Sequence, residues 1–373
     1  GKDGIYQILD NSSIVEHSTY GYNLAIHEDG SALWLGTRDN GLVRIQIASN
    51  TEYPYDIQEN YPDGPISNFA YRLKFFGDKL YVLPGGRWAS QYSRKGEIMI
   101  YENGEWKNIK HDVLVKQANG HKLYDFMNVA QDPQDPNHYF ITTYGTGVLE
   151  MQDTNVVNIF LPENSGLISA VPTNPQLYTR TDGAMYDDQG NLWILNTENN
   201  VADIHVIAPN GVWYSLNLQE NTGSSIALNT PGEILVDNRN PQWKWIPLLR
   251  AGTGLILLQD NGTPTNPNDD HVTYHRDWID QNTRSITPEN IYAIAQDQSS
   301  TLWVGTSSGI FAIPASVDFA NSNQCKRVVI PRNDGTGLGD YLLDNEHSNA
   351  VAIDGAKRLW VGTASSGIYL LHQ

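Results

Sequence analysis

The 373-residue chain has a single cysteine, Cys325, so an intrachain disulfide and a cysteine-built metal centre are both excluded. No apolar run approaches the roughly 20 residues that a membrane helix requires, and the first residues do not read as a signal peptide. Membrane insertion by this chain is not expected. Basic residues are scarce, 24 Lys and Arg against 42 Asp and Glu, and the formal net charge is −18 with a pI near 4.8. Such a field repels nucleic-acid phosphates, so no nucleic-acid partner is expected. No stretch reads as a long capped helix. Catalytic motifs are also missing: there is no Gly-x-Ser-x-Gly elbow, no His-Glu-x-x-His, no phosphate loop and no calcium loop. No cofactor and no metal are expected.

What the chain does contain is a repeated phrase. It reads Leu33-Trp34-Leu35-Gly36-Thr37, Leu302-Trp303-Val304-Gly305-Thr306 and Leu359-Trp360-Val361-Gly362-Thr363, each followed by a Gly at 41, 309 or 367. Weaker copies centre on Tyr81, Phe140, Trp193 and Trp245. The seven aromatic anchors at 34, 81, 140, 193, 245, 303 and 360 are 47 to 59 residues apart, a period typical of blade architectures.

Before most anchors lies an alternating strand ending in Asp, as at Asp29, Asp188, Asp297 and Asp354, followed by a tight turn of Gly or Ser type. A third strand and often a more polar fourth follow. Four short strands per period and seven periods predict an all-β fold: a single seven-bladed β-propeller of four-stranded antiparallel blades. One domain over residues 1–373 is expected, with 1–12 open to reading as the tail of a preceding domain. Ile5–Leu9 and Ile14–His17 look like late strands of a blade, while the C-terminus stops on a third strand. This offset suggests a ring closed by an N-terminal strand, which would hide the sheet edges.

The recurring Asp residues serve the turns on this reading, and the repeated Trp residues pack between neighbouring blades. Trp303 is expected to be buried there. Asp269-Asp270-His271 reads as a solvated turn, and His271 and His275, four apart on a strand, lie too far apart for one metal. Function then falls to departures from the repeat, because propeller loops carry it while blades support it. The sharpest departure is Pro84–Lys95, with three positive charges and two aromatics in an acidic chain. The candidate ligand-binding residues are Arg87, Trp88, Tyr92, Arg94, Tyr144, Arg239, Trp243 and Arg250. Aromatic faces beside Arg donors suit a glycan or a protein partner on one ring face.

The Leu-Trp-Val-Gly-Thr phrases with their following Gly-Ile or Gly-Leu resemble the two-component regulator propeller repeats of extracytoplasmic sensors in Bacteroidetes-type bacteria. The stretch Gly337–Glu346 with Ala350–Thr363 resembles the PorZ-like propellers of type IX secretion. These resemblances imply a non-enzymatic module at the periplasm or cell surface, and are compatible with other domains in a longer parent protein. They leave three functions open: a glycan- or protein-binding assembly module, the ligand-sensing domain of a hybrid histidine kinase, or a polysaccharide-degrading hydrolase or lyase.

Overall fold

The computed structural model describes residues 63–222, 230–250, 252–266 and 268–371, together with strands at 5–8, 14–17, 21–26, 32–37, 42–46 and 57–60. The chain divides into two compact units, Gly1–Asn68 with Met99–Asn108, and Phe69–Ile98 with Ile109–Gln373.

In the first unit, Ile5–Ile8 and Ile14–His17 form a hairpin with each other, Ile5 opposite His17. Gly21–Ile26, Ala32–Thr37, Leu42–Gln46 and Ile57–Asn60 form a four-stranded antiparallel sheet in sequence order, as the first repeat predicts. Asp29 lies outside the described residues.

The second unit begins with the hairpin of Arg72–Phe76 and Lys79–Leu83. Three four-stranded meanders follow. The third repeat uses Phe126–Gln131, His138–Gly145, Val148–Gln152 and Asn155–Phe160. The fourth uses Thr179–Tyr186, Leu192–Asn196, Ile204–Ile207 and Trp213–Leu216. The fifth uses Leu235–Val236, Trp243–Leu248, Gly254–Gln259 and His271–His275. The sixth and seventh, Ile291–Gln296 to Gly309–Ile313 and Ser348–Ile353 to Ile368–Leu371, have three strands each. In the sixth, the segment around Cys325 supplies only a single bridge, Ala312 with Lys326. In the seventh, no described residue occupies a fourth position. The helix His111–Gln117 was not foreseen, since it has no side-chain cap and buries only Leu114.

Strand alternation sends successive side chains to opposite faces, so the sheets of the fourth, fifth and sixth repeats each pack on both neighbours. Ile194 joins Phe140 and Val148 of the third repeat, while Trp193 joins Ile246 and Leu248 of the fifth. Trp245 points the other way, onto Val304 and Phe311 of the sixth. Phe140, Trp193, Trp245 and Trp303 therefore do join neighbouring sheets, but not equally. Trp193 and Trp245 are fully buried; Trp303 is only half-buried, against Leu359 and Val361, and Trp360 is 37% exposed.

The turn Asp does more than cap its hairpin. Asp297 Oδ1 accepts the backbone N–H groups of Ser299 and Thr301, and its Oδ2 accepts the Trp303 indole N–H at 3.0 Å. Asp354 serves Ala356, Arg358 and Trp360 in the same way. In the fourth repeat the role belongs to Asp187, not to the exposed Asp188 that the pattern singled out: Asp187 takes the Trp193 indole at 2.9 Å. One carboxylate thus fixes both the turn and the orientation of the inter-sheet aromatic.

The Thr of the phrase forms a second latch. Its hydroxyl donates to the carbonyl of the following Gly in three repeats, Thr143 to Gly147, Thr306 to Gly309 and Thr363 to Gly367. Gly147 has φ of 64° and a Cβ there would lie 2.1 Å from the Phe160 carbonyl oxygen. Gly147→Ala is therefore expected to cost about 1–3 kcal/mol from backbone conformation alone. An unshifted urea midpoint would refute this.

Candidate functional site

The second unit gathers charge where its first strands lie side by side. Arg72 places Nη1 3.1 Å from Glu233 Oε1 and donates from Nε to the Met127 carbonyl. Arg87 is fully buried, with Nη1 3.2 Å from Asp182 Oδ2 and Nη2 donating to Thr197 Oγ1 at 2.8 Å. Its guanidinium also lies 5.1 Å from the ring centre of Tyr144.

Above this buried layer sits an aromatic and polar face. Tyr92 stacks on Tyr144 with centroids 5.8 Å apart and planes inclined by 12°. The Tyr144 hydroxyl donates to Glu198 Oε1 at 2.9 Å and accepts from Arg250 Nη2 at 2.9 Å. Arg250 also pairs directly with Glu198 and lies 6.0 Å from the Trp88 ring centre. Trp88 meets Tyr292 edge to face. The face is accessible: Tyr92 is 42% exposed and Trp88 half-buried.

Of the eight residues proposed from sequence, Trp88, Tyr92, Tyr144 and Arg250 converge here, over Arg87. Arg87 itself has no surface to offer a partner, so its place is beneath the face. Arg94 shapes the loop by donating from Nη1 to the carbonyls of Pro84 and Gly85, and its guanidinium covers the Phe69 ring. Arg239 and Trp243 belong to the fifth repeat's hairpin. Arg239 is bound to Asp237 at 2.7 Å and stacks on Trp243, stabilising the turn. Sequence reasoning missed Arg180, Glu198 and Tyr292, which lie in or beside regular strands and so depart from no pattern.

Burial pushes the Asp182 carboxyl up to about 6, against the opposing pull of Arg87 and Arg72. Burial likewise raises Asp203 and Asp270 to about 7. Burial raises Glu198 too, but hydrogen bonding and charge from Arg250 outweigh it and hold the carboxyl below its ordinary value. Asp237 falls to about 2, because bonds from Arg239 and Trp245 outweigh its burial.

A carboxyl with a raised folded pKa keeps more protons folded than unfolded between about pH 4 and 7, so its contribution is full below that window and is lost as pH rises through it. Asp237 and Glu198 contribute above their unfolded values and lose this in stronger acid. The melting temperature should therefore rise as pH falls from about 7.5 to about 5.5, the three carboxyls outweighing the opposite contribution of His205, whose imidazole burial holds down to about 4. A fall over that interval would contradict these three assignments.

Two arrangements that invite a chemical reading have structural partners. His205 Nδ1 lies 2.8 Å from Ser215 Oγ and its Nε2 lies 3.2 Å from Asn196 Oδ1. Asn196 is committed to the backbone, accepting from Ile168 and donating to the Arg180 carbonyl, so this trio ties outer strands to the inner one. Asp269 accepts the Thr263 hydroxyl within its own turn, and His275 Nε2 is 2.6 Å from the Phe319 carbonyl oxygen. Among the described residues no group of three His, Cys, Asp or Glu side chains could hold a metal ion, and no helix is long and apolar enough to cross a membrane.

Residues 285–308 match the family model described as two component regulator propeller. No curated protein sequence matches the chain. Among solved structures, PorZ, described as an essential bacterial surface component of the type-IX secretion system of Porphyromonas gingivalis, superposes with a TM-score of 0.82 at 21% identity, covering 99% of this chain and 49% of PorZ. The chain thus spans about half the length of that relative. Virginiamycin B lyase from Staphylococcus aureus superposes with a TM-score of 0.52 at 13% identity, covering 95% of this chain and 96% of the lyase. The extracellular domain of the putative hybrid two component system BT3049 from B. thetaiotaomicron gives a TM-score of 0.44 at 15% identity, covering 100% of this chain and 54% of that one. The fold is that of a β-propeller built of successive antiparallel blades, similar to PorZ.

Proposed function

We propose that this chain is a non-catalytic, extracytoplasmic propeller that holds a glycan or protein partner on the face formed by Trp88, Tyr92, Tyr144 and Arg250, within a surface-assembly or secretion-associated system. The observation that carries this reading is Tyr92: a ring 42% exposed yet fixed by stacking on the buried Tyr144. An exposed aromatic that has already lost its rotational freedom binds at a lower entropic cost. Arg250, Glu198 and the Tyr144 hydroxyl surround it with oriented polar groups, the combination of flat apolar surface and few fixed polar groups that recognition sites use. The likeness to PorZ supports the setting, and the match of residues 285–308 to a regulator propeller supports the sensor domain of a kinase as a second reading.

Tyr92→Ala is expected to weaken binding to oligosaccharides identified on an immobilised glycan array, or to a captured protein partner, by tenfold or more. Its melting temperature should stay within about 1–2 °C of the parent, since surface substitutions usually change stability by less than 0.5 kcal/mol. Equal affinity of the two proteins for every bound partner would remove this face from the site.

A further inference from the structure

Arg180 stands apart from the other guanidinium groups of this cluster. Arg72, Arg87, Arg94 and Arg250 each donate hydrogen bonds to backbone or side-chain oxygens. The Arg180 side chain makes none among the described residues, and its Nε is sealed from solvent without a partner. Its nearest carboxylate oxygen, Glu198 Oε2, is 3.9 Å from Nη1, too long for a hydrogen bond. Glu198 is already committed to Arg250 and to the Tyr144 hydroxyl.

The group is nonetheless held in place. Its guanidinium lies 4.8 Å from the ring centre of Tyr144 and 5.5 Å from that of Tyr178, and its side chain keeps 23% of its surface exposed. Arg180 and Arg250 face one carboxylate, so one positive charge remains uncompensated. A planar fork, fixed by aromatic rings with its donors unspent, matches the paired oxygens of a carboxylate or phosphate.

From this geometry we infer that Arg180 is an oxyanion-binding residue, which grips a carboxylate or phosphate carried by a glycan whose ring rests on Tyr92. The inference depends on the reading of that face as a binding site. The chain's charge of −18 does not draw anions from a distance, so this contact acts locally, within the ~8–10 Å over which a charge is felt at ordinary ionic strength.

The test is calorimetry on the full chain with a hexuronic acid trisaccharide and its neutral methyl ester, with inorganic phosphate and acetate as competitors. The acid should bind at least tenfold more tightly than the ester. Arg180→Gln should remove that difference while leaving the ester's affinity and the melting temperature unchanged, and Arg180→Lys should restore part of it. Competition by phosphate but not acetate assigns the site to phosphorylated glycans, and the reverse to carboxylated ones. Equal affinity for acid and ester, no effect of Arg180→Gln, or no binding of any of these probes overturns the inference. If Tyr92→Ala still weakens acid and ester alike, the face survives as a binding site without the anion contact; if Tyr92→Ala changes nothing, the face itself is lost.

Discussion

Replacing Trp193 by Ala should destabilise the protein by about 3–5 kcal/mol, the range for deleting a large buried aromatic side chain. The indole is 1% exposed and packs among Leu195, Ile246, Leu248 and Ile256, where two sheets meet. Two further losses accompany the cavity. Asp187 would give up its indole donor, and the ammonium of the buried Lys244, now 4.5 Å from the Trp193 ring centre, would lose an aromatic face. The measurement is the urea midpoint with its slope. Trp360→Ala provides the contrast, because that side chain is 37% exposed and should cost much less. Equal effects for the two would show that the phrase alone, and not its depth of burial, sets the energetics.

The second large effect concerns the ion pair beneath the proposed binding face. Arg87→Met alone should cost about 3–5 kcal/mol, because it takes the nearer cation from the buried Asp182 and leaves it only Arg72, 3.8 Å away. Both residues are fully buried and their closest atoms are 3.2 Å apart. The double variant Arg87→Met with Asp182→Leu should recover most of that loss, since replacing a buried pair by apolar groups is often neutral. A double variant as unstable as the sum of the two single ones would show that the pair is not coupled. Binding by the double variant is informative too. If Arg87 acts only as a support, partner affinity should fall less than in Tyr92→Ala.

Substituting Arg87 was expected from sequence to affect a partner directly. Its burial makes stability the first thing it changes. The sequence reading placed Arg87 and Trp88 together because both sit in the same irregular loop, yet adjacent residues on an extended backbone point in opposite directions. One enters the interior and the other remains at the surface. The same limit explains the displacement from Asp188 to Asp187: either carboxylate satisfies the pattern, but only the first also reaches the indole of Trp193.

Periodicity, by itself, determined the all-β class, the succession of repeats, the Asp-capped turns and the inter-sheet place of Phe140, Trp193, Trp245 and Trp303. Those features are local and recur, so each copy confirms the others. Composition likewise determined that no disulfide forms within the chain. Tertiary structure alone decided which loop residues meet. Tyr92, Tyr144 and Arg250 come from three separate repeats, and Arg180, Glu198 and Tyr292 were indistinguishable from ordinary strand and turn residues until those repeats were set side by side. The proposed binding face, assembled from distant segments, leaves no local spacing to read, because its geometry comes from how the sheets pack and not from the order of the residues along the chain.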